Sequence, residues 1–263
     1  MAPIRFLRTV FPVERESVRL FCIPYAGGSA SIYDEWARTA PDWLQICPIE
    51  LPGRGWLRRE PLFESLNELA KAITSAIYPY TNTPYAIFGH SMGALLAYEI
   101  ASSLESVGRH LLQKLFVSGS RAPFLPRKRP PVSHLSDVEF LDLIRQMRGT
   151  PEEVLTHLEF MDILLPILRS DFVNCDQYRF TLRPSLHVPI TTLNGEQDND
   201  IPENDVQLWS RLTIGRFQSF TFPGGHFFIK NCRENIVSTI CEELRIISDV
   251  DLKGVTESGL IEA

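Results

Sequence analysis

Tyr85-Ala86-Ile87-Phe88-Gly89-His90-Ser91-Met92-Gly93-Ala94 is the stretch that decides the fold. Four apolar residues of strand character run into a G-x-S-x-G pentapeptide, and a helical pattern over residues 94–104 follows directly. Glycines at both ends of the pentapeptide let strand and helix approach closely at a sharp turn. A serine held on such a turn stands at the C-terminal edge of a sheet and at the positive end of the following helix. The pentapeptide alone is a weak signal; between strand and helix it is a strong one.

Working outward, short apolar runs alternate with helical stripes. Val18–Ile23 reads as a buried strand ending at Pro24. Residues 45–51 read as a second, and Pro48 within it predicts an edge or irregular position. Apolar positions 66, 69, 70, 73, 76 and 77 form a helical stripe. Further strands are expected at 115–118, 190–193 and Phe217–Phe222, with a closing helix over 233–247. The pattern predicts one α/β domain over 1–263 with a mostly parallel central sheet and flanking helices, the α/β-hydrolase fold. A polar tail, 249–263, is expected to fray.

Residues 121–184 break the alternation. A proline- and base-rich linker leads to Ser136 and Glu139, spaced as a capping box and flanked by a Leu135–Phe140 staple. That helix should end near Gly149; Pro151 starts another. A third, over 158–172, carries Pro166, where a kink or break is expected. Helices inserted just before the strand that should deliver an acid read as a lid; ordinary packing helices are the plainer alternative.

Composition excludes several function classes. The net charge is −6, from 26 basic and 32 acidic residues, so no basic footprint for nucleic acid exists. No apolar run is long enough to span a bilayer. Residues 1–11 hold two arginines but no apolar signal-peptide core, so a cytoplasmic location is expected. Cys22, Cys47, Cys175, Cys232 and Cys241 show no metal-type spacing and read as buried free thiols.

A serine hydroxyl needs a base that removes its proton during attack. Of six histidines, His226 alone follows a strand in a glycine-softened loop, Pro223-Gly224-Gly225-His226. His90 lies inside the elbow, with its side chain expected to point away from Ser91. An acid must come between serine and histidine in chain order. Glu196, Asp198 and Asp200 all follow the 190–193 strand and could orient the imidazole; Asp198 is favoured over Asp200, which could serve only to cap the loop or next helix. The oxyanion donors should be the N–H of Met92 and one from Pro24-Tyr25-Ala26-Gly27-Gly28, with Ala26 ahead of Gly27. No metal site and no cofactor are called for.

These residues in this order resemble the type II thioesterases that accompany polyketide and nonribosomal peptide synthetases. The resemblance spans about 18–247 and rests on Pro24-Tyr25-Ala26-Gly27-Gly28, Glu50-Leu51-Pro52-Gly53-Arg54, Gly89-His90-Ser91-Met92-Gly93, Arg148-Gly149-Thr150-Pro151, Leu168-Arg169-Ser170-Asp171-Phe172 and Pro223-Gly224-Gly225-His226. It implies an editing enzyme that hydrolyses acyl thioesters from the phosphopantetheine arms of acyl- or peptidyl-carrier proteins. The family's glycine, two variable residues and aspartate fall on Gly195 and Asp198. Animal medium-chain fatty-acyl thioesterases share these motifs. A carboxylesterase is the nearest enzymatic rival, and a noncatalytic interaction protein the rival from another class. For an acidic carrier protein, two basic clusters offer docking patches: Arg121, Arg127, Lys128 and Arg129, or Arg54, Arg58 and Arg59.

Overall fold

The computed structural model describes residues 5–8, 17–147, 149, 150 and 152–257. Its strands are β1 (Val18–Ile23), β2 (Leu44–Pro48), β3 (Tyr85–His90), β4 (Leu112–Ser118), β5 (Ile190–Gly195) and β6 (Phe217–Phe222). Its helices are α1 (Asp34–Thr39), α2 (Leu66–Ile77), α3 (Met92–Ser106), α4 (Asp137–Met147), α5 (Glu152–Leu155), α6 (Leu158–Gln177), α7 (Glu203–Gln207) and α8 (Arg233–Glu257). The strands form one sheet in the order β2-β1-β3-β4-β5-β6, every neighbouring pair parallel.

Alternate residues of the central strands feed two apolar layers. Phe21, Ile23, Tyr85 and Ile87 point into the layer closed by α2 and α3. Leu20, Cys22, Ala86 and Phe88 point into the layer closed by Trp36 of α1 and by Ile236, Ile240 and Leu244 of α8. Burial on both faces explains why β1 and β3 read as continuous apolar runs. Pro48 ends β2, which lies at the sheet edge, where a missing N–H costs no ladder bond. All five cysteines are free; Cys22 and Cys47 are buried and the other three half-buried. Among the described residues no helix is long and apolar enough to cross a membrane.

Between β4 and β5 lie α4, α5 and α6, which build a small core of their own from residues including Val132, Phe140, Ile144, Met161, Leu168 and Phe172. The capping box forms: the Ser136 backbone N–H donates to Glu139 Oε2 at 2.7 Å, and the Glu139 N–H donates to Ser136 Oγ at 3.3 Å. Two expectations are corrected. Of the kink or break expected at Pro166, the break is absent: α6 runs continuously from Leu158 to Gln177. Proline removes one N–H, and the buried flank of Ile167, Leu168 and Phe172 holds the helix together around it. Likewise α8 passes the expected end at 247 and continues to Glu257, since no proline interrupts the segment and polarity alone does not stop a helix. Pro151 and the last residues of the tail fall outside the described residues.

Candidate active site

Ser91 occupies the turn between β3 and α3, with φ 56° and ψ −114°. Among the described residues it is the one non-glycine with positive φ. Packing enforces the strain. A Cβ on Gly89 would come 2.0 Å from the Gly93 carbonyl oxygen, and one on Gly93 would come 2.3 Å from that of Ile23. The Ser91 N–H donates to the Ser118 carbonyl at 2.8 Å, tying the elbow to the end of β4. The hydroxyl is thereby held beyond the sheet edge, at the N-terminus of a 15-residue helix.

His226 follows β6 and reaches back to the elbow. Its Nε2 lies 3.0 Å from Ser91 Oγ, and its Nδ1 lies 2.7 Å from Asp198 Oδ2. A carboxylate only accepts, so the ring proton sits on Nδ1 and Nε2 is free to take the serine proton. Asp198 comes from the loop after β5, and that loop packs on the histidine loop. A Cβ on Gly195 would meet the Gly225 carbonyl oxygen at 2.4 Å, and the Gln197 N–H donates to the Gly224 carbonyl at 2.9 Å. Of the three acids open to choice, Asp198 is buried while Glu196 and Asp200 are exposed. Asp200 lines the cleft in front of Ser91, while the carboxylate bonded to His226 is that of Asp198.

The oxyanion donors can be weighed by their present partners. Gly27 N–H donates to Asp171 Oδ2 at 2.8 Å and is engaged. Ala26 lines the same cavity as Ser91 and Met92. Met92 opens α3, where first-turn N–H groups lack helical acceptors.

His90 has a different task. Its Nδ1 lies 2.9 Å from Ser118 Oγ, and its ring centroid lies 5.2 Å from that of His226. Burial first, and the neighbouring His226 second, hold its pKa well below the ordinary histidine value, so it is a neutral buttress. Phe227 and Lys230 escaped sequence reasoning. Lys230 Nζ donates to the Gly149 carbonyl at 2.6 Å and lies 5.0 Å from the Phe227 ring centroid. Gly149 rests on that ring, where a Cβ would come 2.2 Å from Phe227 Cζ.

An apolar cavity of about 230 Å³ opens beneath the insertion, lined by Tyr25, Ile144, Met147, Leu164, Leu168 and Phe227 among others. A second cleft of about 490 Å³ reaches Ser91 and His226, with Arg121, Arg127, Lys128 and Arg129 on its wall. These cations are already engaged. Arg127 pairs with Asp176, whose side chain is buried, and Lys128 lies 3.1 Å from Asp205. The other basic patch needs correction: Arg54 is buried and bound to Asp171, leaving Arg58 and Arg59 exposed. Burial of a guanidinium next to a waiting carboxylate has taken it off the surface.

Comparison with known proteins identifies the family. Residues 18–244 match the thioesterase domain family. The chain is 36% identical over 230 residues to the gramicidin S biosynthesis protein GrsT of Aneurinibacillus migulanus, covering 88% of this chain and 90% of that one. It is 36% identical over 242 residues to the thioesterase PikA5 of Streptomyces venezuelae, covering 92% of this chain and 86% of that one. Among solved structures it is similar to the type II thioesterase BorB from the borrelidin biosynthetic cluster, with TM-score 0.83 and 35% identity over 93% of this chain and 99% of that one. With a strained serine elbow, a histidine and a buried aspartate on a parallel sheet, and a match over nearly its whole length, this chain belongs to the thioesterase domain family, hydrolases of thioester bonds on the α/β-hydrolase fold.

Proposed function

We propose that this enzyme clears acyl groups from the phosphopantetheine arms of carrier proteins in polyketide or nonribosomal peptide synthesis, with Ser91 as nucleophile, His226 as base and Asp198 as the orienting acid. The observation that carries the reading is the continuous Asp198–His226–Ser91 hydrogen-bonded chain opening into a cleft. Ser91 Oγ attacks the thioester carbonyl carbon while His226 Nε2 takes the hydroxyl proton. The carbonyl oxygen gains negative charge beside the N–H groups of Ala26 and Met92. Collapse breaks the C–S bond; the pantetheine sulfur leaves as a thiol with the proton from His226. Water, deprotonated by the same imidazole, attacks the acyl-serine; the C–Oγ bond breaks, His226 returns the proton to Ser91 Oγ, and the carboxylic acid leaves. Asp198 keeps the ring in the required tautomer and stabilises the imidazolium formed twice per cycle.

The insertion acts as a lid in this reading: its underside lines the apolar cavity, which suits an acyl chain. The relatives that serve antibiotic synthesis support a carrier-bound substrate. The test compares an acyl-pantetheine thioester with an oxygen ester of the same acyl group, and acyl-carrier protein with both, following the loss of acyl mass. Higher kcat/KM on the thioester and highest on acyl-carrier protein is the expected order. Preference for the oxygen ester would make the protein a carboxylesterase, and equal rates on free and carrier-bound pantetheine would remove the carrier protein from the reading.

A further inference from the structure

Two side chains with no task in the mechanism above converge behind the oxyanion loop. Arg54 follows the edge strand β2, Asp171 projects from α6, and Gly27 and Gly28 follow β1. The Arg54 and Asp171 side chains are 7% and 6% exposed. Arg54 Nη1 donates to Asp171 Oδ2 at 2.7 Å and Nη2 to Oδ1 at 3.0 Å. The same Oδ2 accepts the Gly27 backbone N–H at 2.8 Å, and the same Nη1 donates to the Gly28 carbonyl at 3.1 Å. Arg54 Nε in turn donates to the Pro52 carbonyl at 3.2 Å. One ion pair therefore grips two successive loop residues and ties them to the turn that follows β2.

Contact with α6 is close. Gly27 has φ +75°, and a Cβ there would come 2.3 Å from Leu168 Cδ2. The loop thus lies directly beneath the helix that supplies Asp171. A buried ion pair of this kind adds little to stability, since desolvation offsets most of its Coulomb attraction. Its geometry fits another role. Ala26 immediately precedes the gripped residues, and Asp171 occupies the N–H of Gly27, so the loop offers the substrate the N–H of Ala26.

We propose that Arg54 and Asp171 are positioning residues that hold the oxyanion loop in its donating geometry only while α6 lies over it, so that closure of the insertion and assembly of the oxyanion site are one event. This rests on the thioesterase mechanism proposed above, with Ala26 as a donor. With α6 lifted, Gly27 loses its acceptor, Arg54 loses its counter-charge, and the loop is free to turn its N–H groups away. An empty, open enzyme would then be unable to stabilise an oxyanion until an acyl chain had brought α6 down.

The discriminating variant replaces both partners at once, Arg54→Met with Asp171→Leu. Removing one partner would strand a buried charge, whereas exchanging both for apolar residues of similar volume commonly leaves a fold intact. Three readouts are needed: kcat and KM on an acyl-pantetheine thioester, and affinity for an alkyl trifluoromethyl ketone, whose adduct with Ser91 bears the oxyanion. Loss of a well-placed oxyanion donor costs about 10²–10³ in kcat, so a displaced loop should cost roughly 10- to 100-fold. The expected result is that loss in kcat, a matching loss in ketone affinity, and KM changed by less than about threefold. A folded double variant with wild-type kcat and ketone affinity overturns the clamp, as does a loss confined to KM. Wild-type protein that does not hydrolyse the thioester at all overturns the mechanism and the clamp with it, so the two failures are distinct. Should the double variant not fold, amide exchange of the wild-type protein decides. The clamp requires residues 25–28 and 168–176 to open together with one free energy; independent opening overturns it.

Discussion

Ser91 lies more than a hundred residues of chain before Asp198 and His226, yet each arrives by the same device, a glycine that lets backbone approach backbone at a strand end. The distances of 3.0 and 2.7 Å along the chain of hydrogen bonds follow from those approaches. Replacing Asp198 by Asn would hold His226 in the wrong tautomer, and kcat should fall on the order of 10⁴-fold, the size seen for the orienting aspartate of serine proteases. Asp200→Asn should change kcat less than about tenfold, since Asp200 only lines the cleft. Steady-state kinetics of the two variants checks this, and reversed magnitudes would transfer the role to Asp200. His90 gives a pH prediction. Its folded pKa is depressed by burial, so both states are neutral above the unfolded value of about 6.5. Below that pH the unfolded chain takes a proton that the folded chain refuses, and stability should fall by up to ~1.4 kcal/mol per pH unit. Denaturant unfolding of His90→Asn between pH 7.5 and 5 should show a shallower loss than wild type; parallel curves would count against a neutral buried imidazole. The convergence of Ser91, His226 and Asp198 was legible because each sits beside glycines at a strand end. The neutral role of His90 was not, because it depends on Tyr25, Ser118 and Phe228 closing around the ring.

At the scale of elements, β1 and β6 were readable to the residue, since apolar runs bounded by proline or glycine leave little freedom at their ends. Helix ends were harder. Pro166 did not break α6 and polar residues did not end α8, because packing of an apolar face and plain helical continuity outweighed the local signal. The insertion's separate character was legible from its capping box, but its fastening to the body was not. Gly149 is where that fastening shows, with the Phe227 ring against its Cα and the Lys230 ammonium on its carbonyl. Gly149→Ala would force a methyl group into the ring. Overpacking of this kind costs typically about 1–3 kcal/mol, so kcat/KM should drop roughly 5- to 150-fold if the closed insertion is the active one. Unchanged kcat/KM in a folded Gly149→Ala variant would show that the insertion need not seat on Phe227.

Over the whole molecule, the charge of −6 opposes an acidic carrier protein, so any attraction has to be local. The Arg121–Arg129 cluster borders the cleft to Ser91, which suits that purpose, but Arg127 and Arg129 face the buried Asp176 carboxylate. Reversing either would strand that carboxylate and test folding rather than docking. Lys128, 47% exposed at the side chain, is the member to reverse. Lys128→Glu should raise KM for acyl-carrier protein severalfold with acyl-pantetheine unaffected, a change in rim charge acting mainly on association. Equal changes on both substrates would take Lys128 off the docking surface. The parallel α/β architecture was open to sequence reasoning because the alternation of strands and helices is a local pattern repeated many times, whereas the strand order β2-β1-β3-β4-β5-β6 depends on long-range pairing. Which basic residues remain free was not, since Arg54 and Asp171 meet across 117 positions. The central claim, covalent catalysis through Ser91, is tested most directly by intact-mass measurement during a single turnover of an acyl-pantetheine thioester. The enzyme should transiently gain the acyl mass less one hydrogen, mapped to the peptide holding Ser91, and Ser91→Ala should show neither adduct nor turnover. Turnover by Ser91→Ala at even a tenth of the wild-type rate, or an adduct mapped to another residue, would contradict it.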